Sequence, residues 1–377
     1  MQKNIFLLFI SAISLFANVS ESKVCQKCHP LIYKEYYNSS HRKASIYNVV
    51  IHKAVWEKQN SEQNATYTCA KCHTPSDLKV LKTGILKKDD TQINNPISCV
   101  YCHTIKSIKS GEHSNLNILS GKKREFYTAE VSKRNEKEAS YKIKTSWFGL
   151  IKESQNSPYH KIIYTNKNFY NGKMCMGCHS HLENEHGLNT VMLDAYIDKK
   201  DKNNCISCHM PQVAGSKVTL HKSKTHAYHG IAGIYNMNAQ MGKYIDFKLS
   251  KNPKGFAITV INKSNHAFFG QDFRVGELRV SIVRGSKNII LKPFIFTRIL
   301  SKNDKEVMPW VADATLKDTL LYGKKTIQYD EILKKGDELI VSIGVRLLSQ
   351  NGAKALNLQD DKKLSKFRVL KTEKIYE

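Results

Sequence analysis

Beyond its first seventeen residues this sequence has no apolar run of the ~20 residues that a membrane-spanning helix needs, so no later transmembrane segment is expected. It has no cysteine where an exported chain would be lipidated. It is poor in acid: 33 Asp and Glu stand against 59 Lys and Arg, a formal charge of +26. Arginine is scarce too, with nine residues against fifty lysines. Lysine, asparagine and isoleucine are abundant throughout, which base composition explains as readily as function. Above all, there is no cysteine outside one recurring pattern. No odd thiol is left over for intermolecular pairing.

The pattern is Cys-x-x-Cys-His, and it occurs five times: Cys25–His29, Cys69–His73, Cys99–His103, Cys175–His179 and Cys205–His209. This is the attachment sequence of c-type haem. Its two thiols (Cys25 and Cys28, Cys69 and Cys72, Cys99 and Cys102, Cys175 and Cys178, Cys205 and Cys208) add across the two porphyrin vinyl groups. The adjacent histidine, His29, His73, His103, His179 or His209, then binds the iron as proximal ligand. Structural zinc sites or disulfides would also use paired cysteines. Neither requires a histidine directly after every second cysteine. Five covalently attached c-type haems are therefore expected.

The N-terminus agrees with that chemistry. Lys3 supplies a positive end, Ile5–Ile10 and Ala12–Phe16 an apolar core, and Leu15-Phe16-Ala17 an imperfect small-residue cleavage site. Residues 1–17 are expected to be a cleaved export signal, leaving a periplasmic chain with no transmembrane segment. Export and haem argue against nucleic acid as the partner of the basic surface. A redox protein, acidic or membrane-associated, is the expected partner.

Past the first motif, Leu31–Tyr37 reads as a short helix with aromatics to pack on a porphyrin face. Ala44–Gln59 reads as a second helix, within which His52 has the default reading of an ordinary histidine. An internal repeat follows, since Cys69 to Cys99 and Cys175 to Cys205 share one spacing and each pair follows a similar segment. Those segments are Asn38–Tyr47, carrying His41, and Asn156–Tyr164, carrying His160. This suggests a duplicated two-haem unit with an extra haem in front. Gly121–Lys144 is a charged connector, read as a surface helix or strand pair. After Met210-Pro211 period-2 alternation begins, at Tyr244–Leu249, Phe256–Ile261, Leu278–Val283, Ile289–Leu300, Thr326–Tyr329 and Glu338–Leu347. The expected fold class is a mostly α and irregular multihaem region followed by an all-β, sandwich-like domain. The expected divisions are a three-haem region over 18–120, the connector over 121–156, a two-haem region over 157–242, and the β domain over 243–377.

Each proximal histidine leaves one axial position on its iron. A second histidine there gives a six-coordinate electron-transfer haem, and an open position admits a small ligand. The favoured second ligands are His41 and His160, from their matching repeat positions, with His113, His186 and His226. His266 is the reserve, and His181 also lies outside the motifs. Met210 and Met174 adjoin motif residues, which is poor geometry for the same iron.

The stretch Cys25 to His41, with its Cys-x-x-Cys-His-Pro-x-Ile-Tyr start and Ser-x-His end, resembles the opening of multihaem cytochromes c related to the tetrahaem nitrification cytochrome. That resemblance implies that His41 is a distal ligand to a different haem. Cys205–Pro211, with Thr225-His226 and Gly230, is similar to the last-haem segment of that group. Asn262–Gly270 and Asp318-Thr319-Leu320 resemble the β-sandwich tail of some members. Catalytic relatives often carry a lysine-containing haem motif or a tyrosine crosslink; no Cys-x-x-Cys-Lys occurs here. The expectation is a pentahaem carrier passing electrons between a quinol-oxidising membrane system and a terminal reductase. The alternative is a reductase or oxidase of a small nitrogen or sulfur compound at one open haem.

Overall fold

The computed structural model describes residues 21–122, 124–135, 141–144, 151–154, 159–193, 204–219 and 222–376. The expected export signal lies outside them, as does part of the connector. Among the described residues no helix is long and apolar enough to cross a membrane.

The N-terminal part consists of short helices and two-stranded sheets. Helix α1, Pro30–Asn38, begins at a proline, whose fixed φ and missing N–H suit a first turn. Helix α2 is Val50–Gln63. The apolar pattern predicts its start at Ala44, but Ser45 diverts the chain. The Ser45 carbonyl accepts the Asn48 and Val49 N–H groups, and its hydroxyl accepts that of Tyr47. This is the local competition by which serine disfavours helix interiors. Helix α3, Ala70–His73, is a single turn. Helix α4, Leu78–Thr83, is capped by Asp77, whose carboxylate accepts from Lys79 and Val80. Ile46, Tyr67, Ala70 and Val80 close a small core beneath α3 and α4.

Four antiparallel pairs follow: Ile105–Lys109 with Leu116–Leu119, Tyr141–Lys144 with Ile151–Ser154, His181–Glu183 with Asn189–Met192, and Gln212–Ala214 with Thr225–Ala227. One parallel pair, Glu125–Tyr127 with Lys161–Ile163, joins the stretch directly after His160 to the strand whose Tyr127 carbonyl meets His103 of the third motif.

The C-terminal region is strand-rich. One antiparallel sheet holds Ile245–Asn252, Gly255–Asn262 and Lys324–Tyr329 in that order. A larger one orders Lys287–Ile290, Val275–Arg284, Glu338–Arg346 and Arg368–Tyr376, with Phe294–Phe296 also against Val275–Arg284. Both sheets contribute to a single core. Ile245, Phe256, Ile258 and Val260 come from the first sheet, and Leu278, Ile282, Leu339, Val341 and Ile343 from the second. The stretch 289–300, read as one strand, is broken around Pro293 into two pieces that both pair with Val275–Arg284, because proline donates no ladder hydrogen bond, and again before Arg298–Lys302, which belongs to a separate sheet. A second core around Met308, Trp310, Leu347 and Leu348 receives Ile51, Ala54 and Val55 of α2. The Trp310 indole N–H donates to Glu62 at 2.9 Å. Helix α2, and with it His52, is therefore seated on the C-terminal region.

Candidate haem sites

Each motif winds into one helical turn. The histidine N–H returns to the carbonyl of the first cysteine in His29–Cys25, His73–Cys69 and His179–Cys175, at 2.8–2.9 Å. Cys99–His103 and Cys205–His209 are short helices, capped by Ser98 and Asn204. Side chains at i, i+3 and i+4 share one side of a turn, so both thiols and the imidazole of a motif converge. None of the ten cysteines is in a disulfide, which leaves the thiols available for addition to vinyl groups. Thiols also meet across motifs. Cys25 bonds Cys99, Cys72 bonds Cys178, and Cys175 bonds Cys205. The Cys175 contact pulls Cys205 down to about 7. The two pairs of equal spacing are thus packed differently, since Cys205 faces its upstream mate whereas Cys99 faces Cys25.

All five motifs line one branched cavity of about 3150 Å³. Shared among five motifs that is roughly 630 Å³ each, the size of an ordinary cofactor pocket of about 300–1,000 Å³. The lining is mostly apolar, as a porphyrin face requires.

Each motif histidine faces one further histidine ring. His29 faces His160 with ring centres 6.4 Å apart, and His179 faces His41 at 6.0 Å. His103 faces His229 at 6.3 Å, and His209 faces His266 at 6.2 Å. Metal–imidazole bonds are about 2 Å for a first-row ion, and the bonding nitrogen stands about 1 Å from its ring centre, so two rings on one iron lie roughly 6 Å apart. Four pairs fit that spacing. The fifth does not: His73 and His52 are 4.0 Å apart, too close for an iron between them as they stand.

The hydrogen bonds choose the ligating nitrogen. Nδ1–H of His29 donates to the Lys217 carbonyl at 2.6 Å, that of His103 to Tyr127 at 2.7 Å, and that of His209 to Ala232 at 2.7 Å. On the opposite rings, His229 donates to Ala227 at 2.6 Å and His266 to Ala267 at 2.9 Å. A carbonyl only accepts, so Nδ1 carries the proton and the Nε2 lone pair is left for a metal. His73 and His52 both donate to the Ala44 carbonyl at 3.1 Å. Nε2 of His52 lies 3.3 Å from the Tyr67 hydroxyl, which occupies the lone pair a metal would use. Burial also favours the neutral rings that ligate: it pushes His41 down to about 4 and His52, His179 and His229 to about 3. His73, His103, His160 and His266 are lowered by the same cause.

The remaining histidines singled out from sequence stand elsewhere. His113 is exposed and its Nδ1 is bound by the Glu183 carboxylate. His186 lies beside Glu185 at 3.8 Å. Neither lines the cavity. His226 does line it but is engaged at both nitrogens, with the Gly215 carbonyl at 3.0 Å and Glu35 at 2.9 Å. The other Glu35 oxygen accepts the His229 N–H at 2.9 Å, so His226 supports the segment whose next histidine faces His103. Of the five favoured from sequence, His41 and His160 face motif histidines; the other three rings that do so are His229, His266 and His52, which the sequence reading did not favour. Strand Thr225–Ala227 turns His226 inward, a signal that chain order alone does not carry.

Residues 24–104 match a family model described as cytochrome c554 and c-prime, a class of protein that covers the first three motifs. A particular solved structure is similar over nearly the whole chain: the penta-heme cytochrome c552 from Thermochromatium tepidum. The TM-score is 0.71 over 94% of this chain and 98% of that one, at 18% identity. At that identity the likeness shows a shared fold. No curated protein matches the chain.

Proposed function

We propose that this chain is an exported pentahaem cytochrome c that carries electrons in the periplasm between a quinol-oxidising membrane system and a terminal reductase. The observation that carries the reading is the set of four histidine pairs at 6.0–6.4 Å, each with one member in a Cys-x-x-Cys-His turn. His29 with His160, His103 with His229, His179 with His41 and His209 with His266 would each hold one iron. Haem so held exchanges single electrons and offers no free position to substrate. The chain's own residues fix the tautomers through backbone carbonyls, exclude water by burial, and attach each porphyrin at two thiols. The two-sheet C-terminal region is read as a sandwich that supplies His266 and seats α2.

A second reading concerns the Cys69–His73 motif alone. His52 stands too close to His73 and its Nε2 is engaged by Tyr67. Held as it is by Tyr67, His52 would not supply a second axial nitrogen to an iron bound by His73, and that position would be open to a small nitrogen or sulfur compound. The test is mass and carbon monoxide titration of protein matured in a c-type maturation host. Intact mass exceeds that of the apo chain by five haems, and one haem in five binds carbon monoxide. Fewer haems with free thiols remaining defeats the first reading, and no carbon monoxide binding defeats the second.

A further inference from the structure

Helix α4 and the turn after it carry an outward face that none of the described residues covers. Leu78 is 64% exposed, Leu81 41% and Ile85 66%. Around them stand the exposed Lys79, Lys82, Lys87 and Lys88. No described acid pairs with any of these four ammonium groups, and residues 78–88 contain no acid at all. The next acids are turned to their own backbone and side chains: Asp77 caps α4, and Asp89 and Asp90 accept from Gln92, Asn94 and Asn95. The inner side of the same segment is the reverse. Val80 is 1% exposed and packs with Tyr67 and Ala70, and Leu86 and Cys69 pack on the same cluster. The apolar, lysine-ringed face is thus backed directly by the Cys69–His73 motif, one helix thickness of about 10 Å away.

We propose that this face docks an acidic redox protein and places electron exchange at the Cys69–His73 haem, an inference that rests on the carrier reading above. Charge names the occupant. A ring of four lysines attracts an acidic surface and steers its approach, and three apolar side chains at the centre give the contact a desolvated middle. A second copy of this chain, itself at +26, is repelled. A bilayer is the weaker fit, because two side chains on a six-residue helix and one in the turn after it bury too little apolar area for stable anchoring.

The experiment uses the haem-loaded protein and stopped-flow reduction by a plant-type [2Fe–2S] ferredoxin, an acidic donor of low potential. Reduction by dithionite is followed in parallel. The variant K79E/K82E/K87E/K88E is compared with K248E/K287E/K317E/K335E, which makes the same charge change at exposed lysines of the C-terminal region. At low salt the first variant slows the ferredoxin reaction by about tenfold or more and the second by less than about threefold. The difference closes at high salt. Leu78→Ser with Ile85→Ser lowers the rate at high salt, where charge no longer steers. Equal slowing by the two charge variants overturns the proposal. So does a first variant that loses flotation with phosphatidylserine vesicles yet keeps its ferredoxin rate. Dithionite failing to reduce the protein, or a mass short of five haems, strikes the carrier reading instead.

Discussion

A carbonyl oxygen decides which nitrogen of a motif histidine is free for a metal. Lys217, Tyr127 and Ala232 supply that oxygen to His29, His103 and His209, and none of the three is recognisable from its side chain. The proximal residues were legible because the motif is local. Of the rings opposite them, His41 and His160 were expected from their repeat positions; His229, His266 and His52 were not, because facing another ring depends on segments distant in sequence. His41→Ala, His160→Ala, His229→Ala and His266→Ala are each expected to turn about one fifth of the Soret intensity high-spin and to add one carbon monoxide site. His113→Ala and His186→Ala, whose rings lie outside the cavity, are expected to leave the spectrum unchanged. A different residue contributes to the acid stability of the C-terminal region. The Arg284 guanidinium holds the Asp337 carboxyl below its usual value of 3.8, with help from the Lys334 N–H. The folded state therefore binds this proton less tightly than the unfolded one. The stabilisation is fully present above about pH 4 and is lost as pH falls through the depressed native value. Asp337→Asn is expected to lower the denaturant midpoint at pH 7 and to flatten its decline in acid, as read from urea titrations across that range.

At the scale of elements, the period-2 runs located the strands of both C-terminal sheets, because alternating burial there follows the pleat. Among the described C-terminal residues three strands escaped: Lys305–Glu306, Ala314–Asp318 and Arg368–Tyr376. Lys305–Glu306 and Ala314–Asp318 are exposed along their whole length, and Arg368–Tyr376 is an edge strand rich in charged residues in which only Leu370 is buried, so none shows a continuous apolar face. Within the sheets, Ile343 is fully buried. Ile343→Ala is expected to cost about 2–5 kcal/mol, measured by denaturant unfolding followed in the far ultraviolet. In the haem region the sensitive element is the turn before the fourth motif. Gly172 has φ +75°, and a Cβ there would come within 2.7 Å of the Cys205 Cβ. Gly172→Ala is expected to strain the backbone and separate the fourth and fifth motifs. Intact mass after maturation would show haem missing from one or both.

Across the whole molecule, the histidine pairs cross the division drawn between two haem regions. His41 precedes the second motif yet faces the fourth, while His160 and His229 lie in the later part and face the first and third. The parallel pair Glu125–Tyr127 with Lys161–Ile163 makes the same crossing in backbone, and the Thr219 N–H donates to the Cys28 carbonyl. The haem regions are therefore interleaved, whereas the two C-terminal sheets share a core built mostly from their own residues, with Ala232 and Met241 added from the second haem region. Cofactor bound only by the folded state stabilises that state. Changing Cys69 and Cys72 to Ala is expected to open the N-terminal part to protease across both haem regions while sparing the sheets. Cleavage confined to the neighbourhood of the second motif would show that the crossing pairs do not couple the halves.

The sequence by itself determined the chemistry: thiol and imidazole spacing within one turn is a property of five consecutive residues, and it specifies where a haem can be attached. It also determined the alternating strands and the basic charge. The tertiary structure decided which histidine faces which motif, that His52 stands beside His73 at a spacing unlike the other four, and that lysines near α4 ring an apolar centre. The reason is physical. Attachment needs only local geometry, but a second axial position is filled by whichever ring the packing of distant segments delivers to about 6 Å.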